Sequence, residues 1–171
     1  MSLYLQISDF KAQTNIAKDK FTKNDLQDYI DKFEVRYLQD LLGAELYEAF
    51  ALDFAIIGTI PTDVKFLEIW NPFAKDGYCG LVRSEGLKEM LVSFIHFEYV
   101  RDQPIMNNIA GNQANVQANS TTPSNISTNI VSNYNEGLQT YWSIQWLISR
   151  NFDSYNWDLF KGIDKDLMGV V

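Results

Sequence analysis

The sequence predicts a mainly all-α protein, a small helical bundle with an extended N-terminal arm, a long uncharged arm between two helices and an extended C-terminal tail. Apolar residues recur at intervals of three and four through most of the chain, which is typical of helices with one buried face. Hydrophobic residues make up 46% of the 171 residues, enough to fill one core. The run 103–135 breaks this pattern, because it contains no charged side chain and separates the two longest helical segments.

We therefore expect one helical domain with appendages. Residues 1–21 are predicted to form an N-terminal arm with a short turn. Residues 22–103 and 129–150 together form the bundle. Residues 104–128 form the inserted arm, for which a β-hairpin, a single strand and a loop without strand pairing remain open. Residues 151–171 form a C-terminal docking tail.

The first helix is predicted to begin at Thr22, a good N-cap residue, and to end at Gly43, which tolerates a left-handed cap. A second helical pattern starts near Leu46 and stops at Gly58 and Pro61. The buried face of the first helix comprises Leu26, Ile30, Phe33, Tyr37 and Leu41.

A short third helix is expected after Thr62, which would serve as its N-cap. This helix places Leu67 and Trp70 on one side. The stretch Pro72–Gly80 contains the dipeptide Asp76-Gly77, and we predict a turn there.

Two long helices are predicted on either side of the uncharged run. The first begins at Ser84 and covers about 84–103, with Gly86 near its start. Its buried stripe comprises Leu87, Met90, Leu91, Phe94, Phe97 and, at its end, Arg101. The second covers about 129–150. Its apolar face comprises Val131, Tyr134, Leu138, Tyr141, Gln145 and Ile148, with Trp142 and Trp146 beside it.

The uncharged arm and the tail are the predicted interaction segments. Apolar and polar residues alternate from Ala114 to Asn119, which predicts a strand. A lone strand leaves backbone groups unpaired, and the edge of a neighbouring subunit would satisfy them. The tail is rich in aromatic residues, so it is expected to dock on a protein surface. The candidate interface residues are Val116, Gln117, Ala118, Asn119, Trp157 and Phe160.

No catalytic, metal-binding or cofactor-binding constellation is predicted. His96 is the only histidine, so a zinc or di-iron site lacks its paired ligands, and we interpret His96 as structural. Cys79 has no histidine near it in sequence that would activate it as a nucleophile. Three acidic pairs recur at helical spacing and are interpreted as a solvated face, although acid–base catalysis by such a pair is the remaining enzyme hypothesis. These pairs are Glu45 and Glu48, Glu85 and Glu89, and Glu98 and Asp102.

Composition narrows the function classes further. The net charge of −8 argues against tight nucleic-acid binding, because an acidic surface repels phosphate. The single cysteine excludes an intrachain disulfide. The N-terminus lacks the basic and long apolar regions of a signal peptide, and no stretch approaches the ~20 apolar residues of a membrane span. We expect a soluble protein that is synthesised in the cytoplasm.

The segment Tyr37–Tyr47, YLQDLLGAELY, resembles the helix–turn–helix near the N-terminus of helical head–tail connector (adaptor) proteins of tailed bacteriophages, most closely those of crAss-like phages. The order of the later parts is also similar. The turn at Gly80-Leu81 leads into the helix Gly86–Arg101, and the polar arm, the helix Tyr134–Arg150 and the segment Tyr155–Gly162 follow. The likeness is one of layout and includes no catalytic signature.

The resemblance implies a structural virion protein, not an enzyme, that forms a dodecameric ring below the portal. Its implied partners are further copies of itself, the portal protein and adjacent connector or tail proteins. DNA would only pass through the channel, and neither a cofactor nor a membrane is implied. A ring uses a heterologous interface, in which one patch binds a different patch on the next subunit. The alternative is a monomeric cytoplasmic helical binding or regulatory protein that inserts its aromatic tail into a partner's groove.

Overall fold

The structure is a computed structural model that describes residues 4–10, 20–77, 80–102, 105–108, 111–114, 124–151, 155, 162–163 and 165–167. The helices are α1 (Lys20–Leu42), α2 (Ala44–Ile57), α3 (Val64–Trp70), α4 (Leu87–Asp102) and α5 (Ser124–Arg150), and a short 3-10 helix (Ile7–Asp9) precedes them. Two antiparallel hairpins lie between helices, β1 (Phe73–Gly77) with β2 (Gly80–Ser84), and β3 (Ile105–Asn108) with β4 (Gly111–Ala114). The prediction of a mainly helical bundle is confirmed.

The centre of the bundle is the antiparallel pair α4 and α5, with α1 packed against α4. The ring of Phe94 lies 5.1 Å from Tyr134, 6.1 Å from Tyr141 and 4.8 Å from Tyr37, measured between centroids. A Cβ atom added to Gly137 would lie 3.0 Å from the Cβ of Ser93, so the absence of a side chain allows α5 to approach α4 closely. Aromatic packing therefore joins the three helices.

The predicted buried face of α1 is confirmed, since all five of its residues are buried. The helix begins at Lys20, so Thr22 lies inside its first turn and is not its N-cap. Gly43 alone separates α1 from α2. Its φ of 76° is positive as expected, but its ψ of 166° directs the chain into α2 and is not that of a left-handed cap. A left-handed cap lies instead at Gly58, with φ 78° and ψ 7°.

The predictions for the segment 62–84 need correction. The N-cap of α3 is Asp63, whose carboxylate accepts the N–H of Lys65 at 3.1 Å. Phe66, Ile69 and Trp70 are the buried residues of α3, whereas Leu67 is half-buried. Asp76 and Gly77, predicted as a turn, are the last two residues of β1, and Gly77 pairs with Gly80 at the start of β2. The sequence pattern did not predict these strands because β1 alternates only between half-buried and exposed residues.

The first residues predicted for α4 belong to other elements. Ser84 ends β2, and its Oγ accepts the N–H of Gly86 at 3.1 Å. Gly86 precedes the helix with a φ of 91°, and its carbonyl accepts the N–H of Met90. The stripe from Leu87 to Phe97 is buried as predicted, but Arg101 is exposed.

The N-terminal residues 4–10 pack against the bundle. Tyr4, Leu5 and Phe10 are buried, and the ring of Tyr4 lies 4.8 Å from that of Phe54 in an edge-on arrangement. The buried carboxylate of Glu34 accepts the backbone N–H groups of Tyr4 and Leu5 at 3.3 Å each. This part of the predicted arm therefore contributes to the core.

The uncharged run forms the β3–β4 hairpin and the first part of α5, which begins at Ser124 and not near residue 129. The two strands pair with each other, from Ile105 opposite Ala114 to Asn108 opposite Gly111. The strand predicted for 114–119 overlaps β4 only at Ala114, and residues 115–119 lie outside the described part of the chain. The described strands are thus not lone strands, and only the outer edges of the hairpin offer backbone groups to a neighbour.

Candidate interaction surfaces

Helix α2 is apolar on two opposite sides. One side, formed by Leu46, Phe50 and Phe54, is buried in the core. On the other side, Leu52 is 75% exposed and Ile56, one turn later, is 71% exposed. Large aliphatic side chains that are this exposed on the outer side of a helix are typical of a surface that another protein covers.

Large exposed apolar residues follow one another along the chain from α2 through the following turn to the start of α3. We call this set of residues the α2–α3 knob. Together they expose on the order of a few hundred Å² of apolar side chain, comparable with the largest apolar patch of a typical monomer, which is often functional. The members of the knob are Leu52, Ile56, Ile57, Ile60 and Val64.

Asp53 holds the turn of the knob in place. Its carboxylate accepts the N–H of Thr62 at 2.8 Å, the N–H of Asp63 at 3.0 Å and the hydroxyl of Thr62. Burial favours the neutral carboxyl, but these hydrogen bonds outweigh that effect and lower the pKa of Asp53. The ionised carboxylate therefore fixes the start of α3 to α2, and the exposed side chains of both form one rigid surface at neutral pH.

A second surface lies where the β1–β2 hairpin meets the C-terminal half of α5. It surrounds a cavity of about 430 Å³, which we call the α5 cavity. The guanidinium of Arg150 lies 5.7 Å from the centroid of the Trp146 ring, a cation–π arrangement at the rim. Lys75 forms an ion pair with Glu68 of α3. The cavity is lined by Lys75, Asp76, Gly77, Trp146, Leu147, Arg150 and Asn151.

A third, polar surface is a groove of about 610 Å³ between β2, α4 and α5. It presents Glu85, Glu89 and Glu136 together with Arg83. Glu85 and Glu89 are exposed, as predicted for a solvated face, and so are Glu45 and Glu48. Across the described ranges, no group of three or more His, Cys, Asp or Glu side chains is placed to bind a metal ion.

Glu98 contradicts the prediction of a solvated carboxylate. It is 7% exposed, and its Oε1 accepts the hydroxyl of Tyr37 at 2.6 Å, while its Oε2 forms an ion pair with Arg101. Burial, together with the hydrogen bond to Glu98 and the negative charge of that carboxylate, raises the pKa of Tyr37. Tyr37 therefore stays a neutral hydrogen-bond donor. Glu98 is buried because it lies beside the apolar stripe of α4, where the hydroxyl of Tyr37 satisfies it.

His96 is 8% exposed, and its burial lowers its pKa, so the imidazole is neutral near pH 7. Its Nδ1 has no hydrogen-bond partner among the residues that the structure describes. Burial agrees with the interpretation of His96 as a structural residue.

The C-terminal segment docks on its own subunit where it is described. The N–H of Ile163 donates to the carbonyl of Asp40 at 2.8 Å, and the ammonium of Lys165 lies 2.8 Å from the Asp40 carboxylate. The hydroxyl of Tyr155 donates to the carbonyl of Lys65, and its side chain is buried. The indole N–H of Trp142 donates to the carbonyl of Lys165 at 3.1 Å. Tyr155 is thus buried against its own subunit, whereas the side chains of Ile163 and Leu167 are 54% and 55% exposed.

The six predicted interface residues cannot be placed on these surfaces. Val116, Gln117, Ala118, Asn119, Trp157 and Phe160 all lie outside the described residues. The α2–α3 knob was not predicted, although the sequence carries its signal, since Leu52 and Ile56 are one turn apart and are offset from the buried Phe50 and Phe54.

Comparison with protein-family models, curated proteins and solved structures finds no match to this chain. No helix among the described residues combines the length and apolar character that crossing a bilayer requires.

Proposed function

We propose that this chain is a structural subunit of a tailed-phage virion, a ring-forming head–tail connector that lies below the portal and lets DNA pass. The observation that carries the proposal is the outer side of α2, where the large aliphatic side chains of Leu52 and Ile56 are exposed. A subunit that is permanently covered by neighbours explains such a surface better than an isolated monomer does.

The layout of the chain supports the same function. The segment Tyr37–Tyr47, which resembles the connector helix–turn–helix, forms the end of α1, the Gly43 junction and the start of α2. It leads directly into the α2–α3 knob. The uncharged run includes the β3–β4 hairpin, whose outer edges suit strand addition by a neighbouring subunit. An uncharged segment also costs less to desolvate between subunits than a charged one.

The net charge of −8 suits a channel through which DNA slides without binding. The proposed partners are further copies of this chain in a dodecameric ring, the portal protein and adjacent connector or tail proteins. The monomeric regulatory protein remains the competing proposal, in which the knob would bind a cytoplasmic partner and the chain would be absent from particles.

The uncharged arm offers a test of this function. Deleting residues 112–122 is expected to leave the bundle folded, because residues 103–111 and Pro123 still connect α4 to α5, which is long enough for antiparallel neighbours. The deletion variant is expected to unfold at an unchanged temperature in circular dichroism but to be absent from assembled particles.

A matched variant replaces residues 112–122 by a Gly/Ser segment of equal length, so that the connection between α4 and α5 keeps its length but loses the native side chains. It is expected to fold and to fail in assembly as the deletion does. Incorporation of both variants into particles at the normal level would show that the arm has no role in assembly.

A further inference from the structure

We infer that the α2–α3 knob of one copy binds at the α5 cavity of a second copy of this chain, in a head-to-tail contact. This inference rests on the proposed ring and names the two surfaces that form its interface. Both surfaces are built from described residues, and neither contains the uncharged arm.

The two surfaces lie on different elements of the same subunit. Helix α2 packs against α1, and its buried rings contact Tyr4 and the aromatic residues of α3. Helix α5 packs instead against α4, β2 and α1. Two distinct surfaces on separate elements are what a heterologous interface requires, because each subunit must offer one surface to each of its neighbours.

The chemistry of the two surfaces is complementary. The knob is aliphatic, and the half-buried ring of Trp146 offers the apolar contact at the α5 cavity, since Leu147, which also lines the cavity, is only 1% exposed. A volume of about 430 Å³ admits branched aliphatic side chains such as those of Ile56 and Ile57. Trp146 and Arg150 lie together at the rim of the cavity. Tryptophan and arginine are among the residue types most enriched at the energetic centres of interfaces.

Charge favours this pairing over a contact between two knobs. The stretch 37–64, which contains all five residues of the knob, has no Lys or Arg but five carboxylates, Asp40, Glu45, Glu48, Asp53 and Asp63. Asp40 and Asp63 form ion pairs with Lys165 and Lys65, so the exposed Glu45 and Glu48 carry most of the excess negative charge. A symmetric knob-to-knob contact would bring the exposed Glu45 and Glu48 of both copies into one region, where like charges repel. The cation of Arg150 at the cavity rim would instead attract the acidic flank of the knob.

Cross-linking between two labelled copies tests the contact directly. Both copies carry Cys79→Ser, so that the native thiol does not react. One copy carries Ile57→Cys in the knob, and the other carries Asn151→Cys at the cavity. The copies differ in mass, are mixed at concentrations that favour association, and are treated with a short bis-maleimide cross-linker before mass spectrometry. The expected main product joins Ile57→Cys to Asn151→Cys.

Two further substitutions separate a specific contact from chance collision. Adding Ile56→Asp to the knob copy is expected to lower the yield of the mixed product by about tenfold, which corresponds to 1.4 kcal/mol of binding free energy. Adding Leu167→Asp instead, at a residue that is 55% exposed and belongs to neither surface, is expected to leave the yield unchanged. Circular dichroism of each variant checks that the fold is retained.

A main product that joins two knobs, or a mixed product that is insensitive to Ile56→Asp, would overturn the inference. So would the absence of any product between copies, in which case the knob binds a different protein. These outcomes leave the virion function intact if the chain is present in particles. Conversely, if the expected cross-link forms but purified particles do not contain this chain, the interface is supported and the connector function is rejected.

Discussion

Replacing Phe50 by alanine is expected to lower the free energy of unfolding by about 3–5 kcal/mol, the usual cost of truncating a buried phenylalanine. Phe50 is 0% exposed, and its ring lies 5.4 Å from that of Tyr4, 5.4 Å from that of Phe66 and 6.3 Å from that of Trp70. The substitution thus removes the ring on which the N-terminal residues, α2 and α3 converge. Urea denaturation followed by circular dichroism measures the effect.

Leu52→Ala, two residues away on the same helix, is the matched control. Because Leu52 is 75% exposed, its truncation is expected to change the free energy of unfolding by no more than about 0.5 kcal/mol. The same substitution is expected to weaken assembly, since Leu52 belongs to the α2–α3 knob. If Leu52→Ala destabilises the isolated chain as much as Phe50→Ala does, the outer side of α2 is covered within the subunit, and it is not free to bind a neighbour.

Gly86→Ala is expected to cost about 2–4 kcal/mol of unfolding free energy for two separate reasons. The φ of 91° at Gly86 is unfavourable for any residue with a Cβ atom. An added Cβ would also lie 2.6 Å from the carbonyl oxygen of Trp70 and 3.0 Å from the backbone nitrogen of Pro72. These are backbone atoms, so relief requires α3 to move away from the start of α4. Chemical denaturation again provides the measurement.

Gly58→Ala measures the cost of a side chain at a positive φ without any steric clash. Gly58 has a φ of 78°, but an added Cβ meets no atom within 4 Å. Its replacement is expected to cost about 1 kcal/mol, from backbone strain alone. Equal losses for Gly58→Ala and Gly86→Ala would contradict the close approach of α3 to α4.

Apolar periodicity correctly predicts the helices that bury one continuous face. The stripe of α1 and that of α4 up to Phe97 are buried as predicted, because helical spacing alone places those residues together. The β1–β2 hairpin was missed because its strands are too short and too exposed for an alternating pattern to stand out. Ser84 and Gly86 were assigned to a helix because the sequence does not reveal that the backbone of Trp70 lies against Gly86.

The candidate site was less predictable than the fold. Helical spacing selects the side of α2 that contains Phe50 and Phe54, and this side is buried. The same pattern does not reveal that Leu52 and Ile56 on the opposite side stay exposed. Tyr4, which is distant in sequence, and α3 cover the Phe50 side only. Glu98 was assigned to solvent for a similar reason, because its partner Tyr37 lies on another helix. Local sequence patterns do not reveal the burial of a residue when that burial depends on contacts with residues far away in the chain.

Quantitative mass spectrometry of purified particles tests most directly the proposal that this chain is a virion component present as a ring. Isotope-labelled peptides of this chain and of the portal protein give the copy number of each in the same sample. We expect about a dozen copies per particle, equal to the number of portal subunits, as in a closed ring that shares the symmetry of the portal. Particles that contain the portal protein but lack this chain would contradict the proposal.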